Sequence, residues 1–193
     1  LIVSTQHGCE DMQEVETTVY AMPTAAFNFS NICENETAQF VDASTIPAGN
    51  ITSWEWNFGN NNTSNLQQPP VQTYPADLTY PVSLVVSNGT SCSDTLEDVI
   101  EVYPTPIAEF TFDSVCFPLE VQFTDFSNPN GAYPITSWDW TFSDAQTSAV
   151  QSPSVDFIVP GIYSADLMVS NGPGCSSSFA DGYAVVHSPP IAD

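Results

Sequence analysis

Among the residues of this sequence that could do chemistry, the five cysteines have the most regular spacing. Cys9, Cys92 and Cys175 follow one another at intervals of 83 residues, and Cys33 and Cys116 are separated by the same interval. There is no CxxC pair of the kind that binds zinc, so cysteines in this acidic chain indicate disulfides formed in an oxidising compartment. A fixed interval between like residues is the signature of a repeat protein, and the cysteines therefore also predict a tandem array.

The simplest pairing gives each repeat one internal disulfide. It joins Cys33 to Cys92 and Cys116 to Cys175, and it leaves Cys9 unpaired in this sequence because its counterpart would lie further upstream. A bridge that closes a loop of this length stabilises a fold by about 4 kcal/mol in the chain-entropy model. The alternative is pairing between repeats, for example of Cys9 with Cys33.

Other residues recur with the same period and divide the chain. Ser-Asn-Gly at residues 87–89 returns at 170–172, and Trp-Glu-Trp-Asn-Phe at 54–58 returns as Trp-Asp-Trp-Thr-Phe at 138–142, one residue out of step. The beginning of the sequence matches the end of a repeat, and its end matches the beginning of one. We therefore predict the closing strands of a preceding repeat, two whole repeats and the start of a following repeat, at residues 1–22, 23–105, 106–188 and 189–193.

The composition excludes several classes of partner. The 193 residues include no lysine or arginine but 23 aspartates and glutamates, which gives a formal net charge of −23. Nucleic acids and anionic lipids are bound by basic side chains, so neither partner is expected, and no apolar run is long enough to span a membrane. The chain also offers trypsin-like proteases no cleavage site, which favours survival outside a cell. The alternative reason for this composition is solubility through high net charge.

The sequence contains no recognisable catalytic constellation. It has no GxSxG, P-loop or HExxH motif, and its two histidines, His7 and His187, lie near opposite ends. We therefore predict a protein that is not an enzyme and has no organic cofactor. Calcium is a candidate ligand because it binds six to eight carboxylate and carbonyl oxygens, although a merely solvated acidic surface is the alternative. The candidate acids are Glu10, Asp11, Asp94, Glu97, Asp98, Glu101 and Asp181.

Apolar and polar residues alternate in the segments between clusters of Pro, Gly, Asn and Ser. This period of two is typical of β-strands, and 16 prolines disfavour long helices. About seven short strands in each repeat suit an all-β sandwich. The linkers Pro104-Thr105-Pro106 and Ser188-Pro189-Pro190 are short, and their prolines restrict the angles between successive domains.

Two of the alternating segments place large aromatic side chains on one face. These residues are Trp54, Trp56, Phe58, Trp138, Trp140 and Phe142. An alternating Trp-x-Trp-x-Phe strand buries one face, so we expect them in the core. The alternative is an exposed aromatic platform that stacks on sugar rings and is multivalent because it recurs in each repeat.

The same segments resemble the polycystic kidney disease (PKD) domain family. Trp-Asn-Phe-Gly-Asn at residues 56–60 and Trp-Thr-Phe-Ser-Asp at 140–144 are similar to the W-D-F-G-D-G core of that family, with substitutions at its acidic turn. Residues 80–88 and 161–171 resemble the family's GxYxVxLxVxN segment. The resemblance covers nearly the whole chain and implies tandem immunoglobulin-like β-sandwiches in a linear array.

The resemblance also implies a function and a location. PKD domains act as spacers, stalks and adhesion modules of extracellular proteins, and this cysteine-bearing kind resembles long arrays in bacterial surface proteins. We therefore expect non-catalytic stalk or spacer repeats of a secreted cell-surface adhesin or extracellular fibre. The expected partners are neighbouring repeats of the same chain, and further the same protein in a filament or a surface glycan. The alternatives are repeats that themselves bind carbohydrate or protein, and an accessory segment of an extracellular hydrolase.

Two short motifs suggest covalent modification. Asp-Thr-Leu at residues 94–96 and Asp-Ser-Val at 113–115 resemble the D-(S/T)-hydrophobic O-glycosylation signal of some surface-exporting bacteria. Thr95 and Ser114 are therefore candidate glycosylation sites. An intact mass that matches the bare sequence would reject both sites.

Overall fold

The secondary structure of the protein consists of strands and turns. A computed structural model describes residues 1–190, with the side chain of residue 181 excepted, and no helix occurs in this part of the chain. The all-β fold predicted from the period of two is confirmed. No segment that the structure describes forms a helix long and apolar enough to cross a membrane.

Chain contacts divide the described residues into two compact units. The first unit comprises Leu1–Asn28, Phe40–Pro69 and Val82–Asp98. The second comprises Phe29–Gln39, Pro70–Pro81 and the described residues from Val99 onward. The second unit therefore contains the whole linker at residues 104–106 and segments from both sides of it.

The described residues form nineteen strands, most of them short. They are β1 (Ile2–Ser4), β2 (Glu10–Met12), β3 (Phe27–Asn28), β4 (Ile32–Cys33), β5 (Thr37–Ala38), β6 (Val41–Asp42), β7 (Ser53–Asn57), β8 (Thr63–Ser64), β9 (Gln72–Thr73), β10 (Thr79–Ser87), β11 (Ser93–Tyr103), β12 (Phe110–Phe112), β13 (Val115–Cys116), β14 (Val121–Asp125), β15 (Ile135–Phe142), β16 (Thr147–Ser148), β17 (Ser154–Val155), β18 (Gly161–Asn171) and β19 (Ser176–His187).

In the second unit, two sheets enclose one apolar core. One sheet has five strands in the order β13-β19-β18-β15-β16, and the other has three in the order β12-β14-β17. β13 runs parallel to β19, whereas the other neighbouring strands of these two sheets are antiparallel. Phe123 of β14 packs against Trp140 of β15, with ring centroids 5.7 Å apart. This arrangement is the predicted sandwich.

The alternation of burial along β18 shows why this sequence forms a core strand. Ala165, Leu167 and Val169 are buried, whereas Asp166 and Met168 between them are exposed. Successive side chains of a strand point to opposite faces. The period of two in the sequence therefore places Ala165, Leu167 and Val169 on the face that packs on the core. Burial of side chains such as those of Leu167 and Val169 stabilises the fold by about 1.5–3 kcal/mol each.

In the first unit, β7 lies between β10 and β8 and is antiparallel to both. β3 pairs with β6, and β1 pairs with β2. Its core contains Phe27, Phe40, Trp56 and Phe58, with the Phe27 and Trp56 ring centroids 5.4 Å apart and those of Phe40 and Phe58 5.2 Å apart. The hydrogen-bonded order β11-β10-β7-β8 corresponds to the order β19-β18-β15-β16.

Equivalent residues of the two repeats also make equivalent hydrogen bonds. Trp56 Nε1 donates to the carbonyl oxygen of Leu66 at 3.0 Å, and Trp140 Nε1 donates to that of Val150 at 2.9 Å. The two repeats thus tie the same core tryptophan to the same loop. The predicted boundaries at residues 22, 105 and 188 stay a prediction, and residues 191–193 of the predicted following repeat lie outside the described residues.

Candidate functional site

Within the described residues a single disulfide is formed, and it crosses the linker. Cys33 is bonded to Cys175, with a sequence separation of 142 and Cα atoms 5.7 Å apart. The predicted bridges of Cys33 with Cys92 and of Cys116 with Cys175 are therefore wrong. Pairing between repeats was the alternative, and it occurs here with Cys175 rather than Cys9 as the partner of Cys33.

The strand register explains why Cys116 does not reach Cys175. β13 runs parallel to β19 and places Cys116 beside His187, the last residue of β19. Cys175 directly precedes Ser176, the first residue of that strand. The two cysteines are therefore separated by a strand of 12 residues, or about 40 Å at 3.3 Å per residue.

Cys33 has the corresponding place beside β11. It lies opposite Tyr103, the last residue of β11, and thus next to the linker. The other three cysteines are free thiols: Cys9 and Cys116 are exposed, and Cys92 is half-buried.

A buried asparagine connects the linker to the turn that carries Cys175. Asn171 Nδ2 donates to the carbonyl oxygen of Pro104 at 2.8 Å, and its Oδ1 accepts the backbone N–H of Cys175 at 2.9 Å. Asn171 is 3% exposed. The turn closes through a backbone hydrogen bond from Gly174 to the carbonyl of Asn171, with Gly174 at a φ of +97° that glycine adopts readily.

The linker itself is held from both sides. The Thr105 N–H donates to Glu34 Oε2 at 3.2 Å, and Asn130 Nδ2 donates to the carbonyl oxygen of Thr105 at 3.1 Å. Pro104 and Pro106 are buried. The linker is therefore restrained by the fixed φ of its prolines and by hydrogen bonds to neighbouring loops.

An aromatic pair lies beside the linker. Tyr103 and Tyr133 pack edge to face with ring centroids 5.2 Å apart, and Asn31 Nδ2 donates to the Tyr103 hydroxyl at 3.0 Å. The Tyr133 hydroxyl donates to a carboxylate oxygen of Glu101. This hydrogen bond favours the neutral phenol and, with burial and the charge of Glu101, raises the pKa of Tyr133 to about 12.

Gly131 completes the packing because it has no side chain. A Cβ atom at this position would lie 2.6 Å from Pro104 Cγ and 2.9 Å from Pro104 Cβ. We call the whole set of residues around the linker the junction. Its members are Asn31, Cys33, Glu34, Glu101, Tyr103, Pro104, Thr105, Asn130, Gly131, Tyr133, Asn171 and Cys175.

The sequence pointed to few of these residues. It singled out the prolines of the linker and the recurring Ser-Asn-Gly, which contains Asn171, but gave no sign of what Asn171 binds. Asn130 and Tyr133 lie in a loop that carries no repeated motif, so their contacts with Thr105 and Glu101 depend on the fold alone.

The aromatic residues predicted for the core fall into two groups. Trp56, Phe58, Trp140 and Phe142 are buried, whereas Trp54 and Trp138 are only half-buried. Each half-buried indole lies where it donates its N–H to a carboxylate, with Trp54 to Asp42 at 2.9 Å and Trp138 to Asp125 at 2.8 Å.

The first unit also has an open groove of about 580 Å³ over the outer face of β7. Glu55, Asn57, Ser83 and Val85 contribute to its lining, together with Trp56. Since Trp56 is only 2% exposed, the groove offers no flat aromatic face on which a sugar ring would stack.

The candidate calcium acids do not form a cluster in the described residues. No group of three or more His, Cys, Asp or Glu side chains there is arranged to hold a metal ion. Asp94 Oδ2 accepts the backbone N–H of Ala25 at 2.8 Å, and the side chain of Asp181 lies outside the described part. The candidate glycosylation residues Thr95 and Ser114 are both exposed.

The sequence matches a family model over most of its length. The PKD domain model matches twice, at residues 20–102 and at residues 103–186. The chain therefore belongs to the PKD domain family and contains tandem PKD domains, as the resemblance implied. No curated protein matches the sequence.

Solved structures similar to the chain include two bacterial PKD domains. The PKD1 domain of Vibrio anguillarum Epp is 24% identical with a TM-score of 0.40, and the match covers 44% of this chain and 96% of that one. The PKD1 domain of the Vibrio cholerae metalloprotease PrtV is 32% identical with a TM-score of 0.38, covering 42% and 96%. The fibronectin(III)-like modules of Clostridium thermocellum CbhA are 12% identical with a TM-score of 0.46, covering 86% and 95%.

Proposed function

We propose that these PKD domains are non-catalytic stalk or spacer repeats of a bacterial adhesin or extracellular fibre that is secreted and displayed at the cell surface. The observation that supports this function is the junction. A spacer holds the part of the protein at its end at a distance from the cell, so the connection between its domains must resist bending. Here the linker has two buried prolines, accepts and donates hydrogen bonds on both sides, and is crossed by the Cys33–Cys175 disulfide.

The chemistry of the chain supports a location outside the cell. Disulfides form and persist in oxidising compartments, and a chain without lysine or arginine escapes proteases that cut after basic residues. The high negative charge would keep neighbouring stalks apart at low ionic strength. Glycans on the exposed hydroxyls of Thr95 and Ser114 would further protect the chain from proteases.

The proposed partners follow from the same role. Each repeat contacts the next repeat of its own chain, and the same protein in a filament or a glycan on an opposing surface is the further partner. The alternative, in which the repeats themselves are the binding modules for carbohydrate or protein, is tested by binding of the two-repeat chain to a glycan array. The alternative of an accessory segment beside a hydrolase is tested by what adjoins the repeats in the whole protein.

The experiment that tests the stalk is electron microscopy of the native, uncut protein, purified without reductant. We expect a long thread of beads at one regular spacing, because linkers of the same kind would join successive domains of the array. The control is the same sample after reduction and alkylation, which should keep the beads but broaden the angles between them. A compact globule that carries only two or three beads would contradict the proposal and assign the function to the globule.

A further inference from the structure

The free thiols Cys92 and Cys116 occupy the same places in their repeats as the two cysteines that are bonded. Cys116 corresponds to Cys33 and Cys92 corresponds to Cys175, each displaced by one period of 83 residues. Only Cys33 and Cys175 meet in the structure. β4 places Cys33 beside the last residue of β11, next to the linker, and Asn171 joins the turn that carries Cys175 to Pro104 of the linker. The two free cysteines therefore have the same positions in the repeat as the bonded pair but no disulfide partner within the described residues.

Cys116 is presented by the same local structure as Cys33. β13 runs parallel to the end of β19 with Cys116 opposite His187, just as β4 runs parallel to the end of β11 with Cys33 opposite Tyr103. Cys116 is exposed, whereas Cys33 is half-buried in its bond with Cys175. Cys116 therefore has the same backbone setting as Cys33 but is an exposed thiol.

Cys92 is presented by the same turn as Cys175. The backbone N–H of Asn88 donates to the carbonyl of Cys92 at 3.2 Å, and that of Asn171 donates to the carbonyl of Cys175 at 3.0 Å. The side chain of Asn88 donates to the carbonyl of Ala21 at 2.8 Å. Ala21 is the residue that corresponds to Pro104 of the linker, so the turn that carries Cys92 is already docked on the equivalent of the linker.

We propose that Cys92 and Cys116 are the two halves of the same inter-repeat disulfide, each bonded to the complementary cysteine of another PKD repeat of this kind. That repeat belongs either to the same polypeptide or to a second copy of the chain. Every junction of an array would then be crossed by one disulfide of the Cys33–Cys175 type. This inference depends on the observed bond and on the period, and not on whether the array serves as a stalk.

The bond requires an oxidant, which we take to be a small-molecule or enzyme disulfide. The thiolate of Cys116 attacks one sulfur of that disulfide and forms a mixed disulfide, with release of the first thiol. The thiolate of the complementary cysteine then attacks the Cys116 sulfur and releases the second thiol. Two protein thiols thus become one protein disulfide while one oxidant disulfide is reduced to two thiols.

Disulfide mapping of the full-length native protein tests the proposal. The protein is purified without reductant, denatured, alkylated at free thiols and cleaved after glutamate, since trypsin has no site in this chain. Glutamates at 16, 34, 55, 97, 109 and 120 place the four cysteines on separate peptides, at residues 17–34, 56–97, 110–120 and from 121 onward. The peptide containing Cys33 joined to the peptide containing Cys175 is the internal reference.

We expect the peptides of Cys92 and Cys116 to be recovered in disulfides with peptides of other repeats, and neither to be alkylated. Gel mobility of the intact protein with and without reductant distinguishes a bond within one polypeptide from a bond to a second copy. Only a bond to a second copy gives a band at a whole multiple of the mass of one chain, and reductant removes that band. Alkylated Cys92 or Cys116 would overturn the proposal, as would Cys92 joined to Cys33 or Cys116 joined to Cys175. A beaded thread with free thiols would leave the stalk intact while rejecting this inference.

Discussion

Asn171 is the residue that connects the linker with the disulfide. Its amide donates to the carbonyl of Pro104 and accepts the N–H of Cys175, and the side chain is almost completely buried. A buried backbone group that loses its partner costs about 1–3 kcal/mol, because water cannot replace the missing hydrogen bond. The position of Cys175 thus depends on one side chain that has no charge and no part in the bond.

We predict that Asn171→Ala lowers the free energy of unfolding by about 1–3 kcal/mol for each backbone group left without a partner. Urea unfolding of the oxidised chain measures the change. The matched variant is Asn88→Ala, because Asn88 makes the same contact with Ala21 but is only half-buried. We expect a smaller loss for that variant, and an equal or larger loss would contradict the role of burial at the junction.

Tyr133 makes the stability of the junction sensitive to alkaline pH. The pKa of a tyrosine is raised here from 10.0 to about 12, chiefly because its hydroxyl donates to Glu101. The folded state therefore holds the phenolic proton more tightly than the unfolded state. The associated stability is fully present below pH 10 and is lost as the pH rises from 10 to about 12.

We expect an ultraviolet titration of tyrosinate to show two tyrosines that ionise near pH 12. One is Tyr133, and the other is Tyr74, whose pKa is raised to about 12 chiefly by burial and further by Tyr80. The variant Tyr133→Phe keeps the ring that packs on Tyr103 and should leave one late titration, that of Tyr74. If both late titrations persist in the variant, the assignment to Tyr133 is wrong.

The two prolines of the linker, Pro104 and Pro106, are buried like core residues. Pro104 is buried, its carbonyl is bonded to Asn171, and its ring lies against the backbone of Gly131. Protein interiors leave few gaps as large as a methyl group, so an added atom must displace its neighbours. The loop that carries Gly131 therefore limits the positions that the linker can take.

We predict that Gly131→Ala destabilises the chain by about 1–3 kcal/mol, since overpacking of a filled site forces neighbouring atoms apart. The control is Gly172→Ala, whose added Cβ would meet no atom within 4 Å. That variant should be neutral or more stable by up to about 1 kcal/mol, because alanine restricts the unfolded chain. Thermal unfolding of the two variants in parallel gives the comparison. Equal stabilities of the two variants would contradict the prediction, because they would show that Pro104 moves aside for the added methyl group at no cost in free energy.

The strands were predictable from sequence, whereas the junction was not. Trp140 and Phe142 alternate with polar residues, and this local pattern alone predicts a strand with a buried face. The partner of Cys33 was not predictable, because Cys92 and Cys175 differ by one whole period and are equivalent in sequence. The choice depends on the parallel pairing of β4 with β11, and a strand of two residues leaves no periodic signal.

Several carboxylates of the described residues act as hydrogen-bond acceptors, in a chain that has no lysine or arginine to pair with them. Asp42 accepts the indole N–H of Trp54 and the amide of Gln67, and Asp125 accepts the same pair from Trp138 and Gln151. Every buried side-chain nitrogen and oxygen of the described residues has a partner. The buried polar side chains of the described residues are therefore satisfied without lysine or arginine. The negative charges on the surface, by contrast, repel one another.

We expect the melting temperature to rise with sodium chloride between about 0.01 and 0.2 M, where the screening length falls from about 30 Å to below 10 Å. With a net charge of −23, screening relieves repulsion and weakens no lysine or arginine ion pair. Each kcal/mol gained at the melting point should shift it by about 2–4 °C. Potassium chloride is the control for a specific ion effect. A melting temperature that falls with salt would contradict net repulsion.

Calcium binding by the acidic chain is a separate prediction from the sequence, although the described acids form no cluster. If calcium binds the folded chain, the melting temperature must be higher in excess calcium than in chelator at equal ionic strength, because a ligand of the folded state stabilises it. Magnesium at the same concentration controls for divalent screening. Equal melting temperatures in calcium and chelator would reject calcium as a ligand of these residues.

The Cys33–Cys175 disulfide also determines how far the chain can be stretched. When the two ends are pulled apart, tension passes from Cys33 directly to Cys175 and bypasses the residues between them. With a sequence separation of 142, about 480 Å of contour length at roughly 3.4 Å per residue is withheld from extension. Reduction of one bond would release this reserve, so the redox state of the surroundings sets the extensibility of the protein under load.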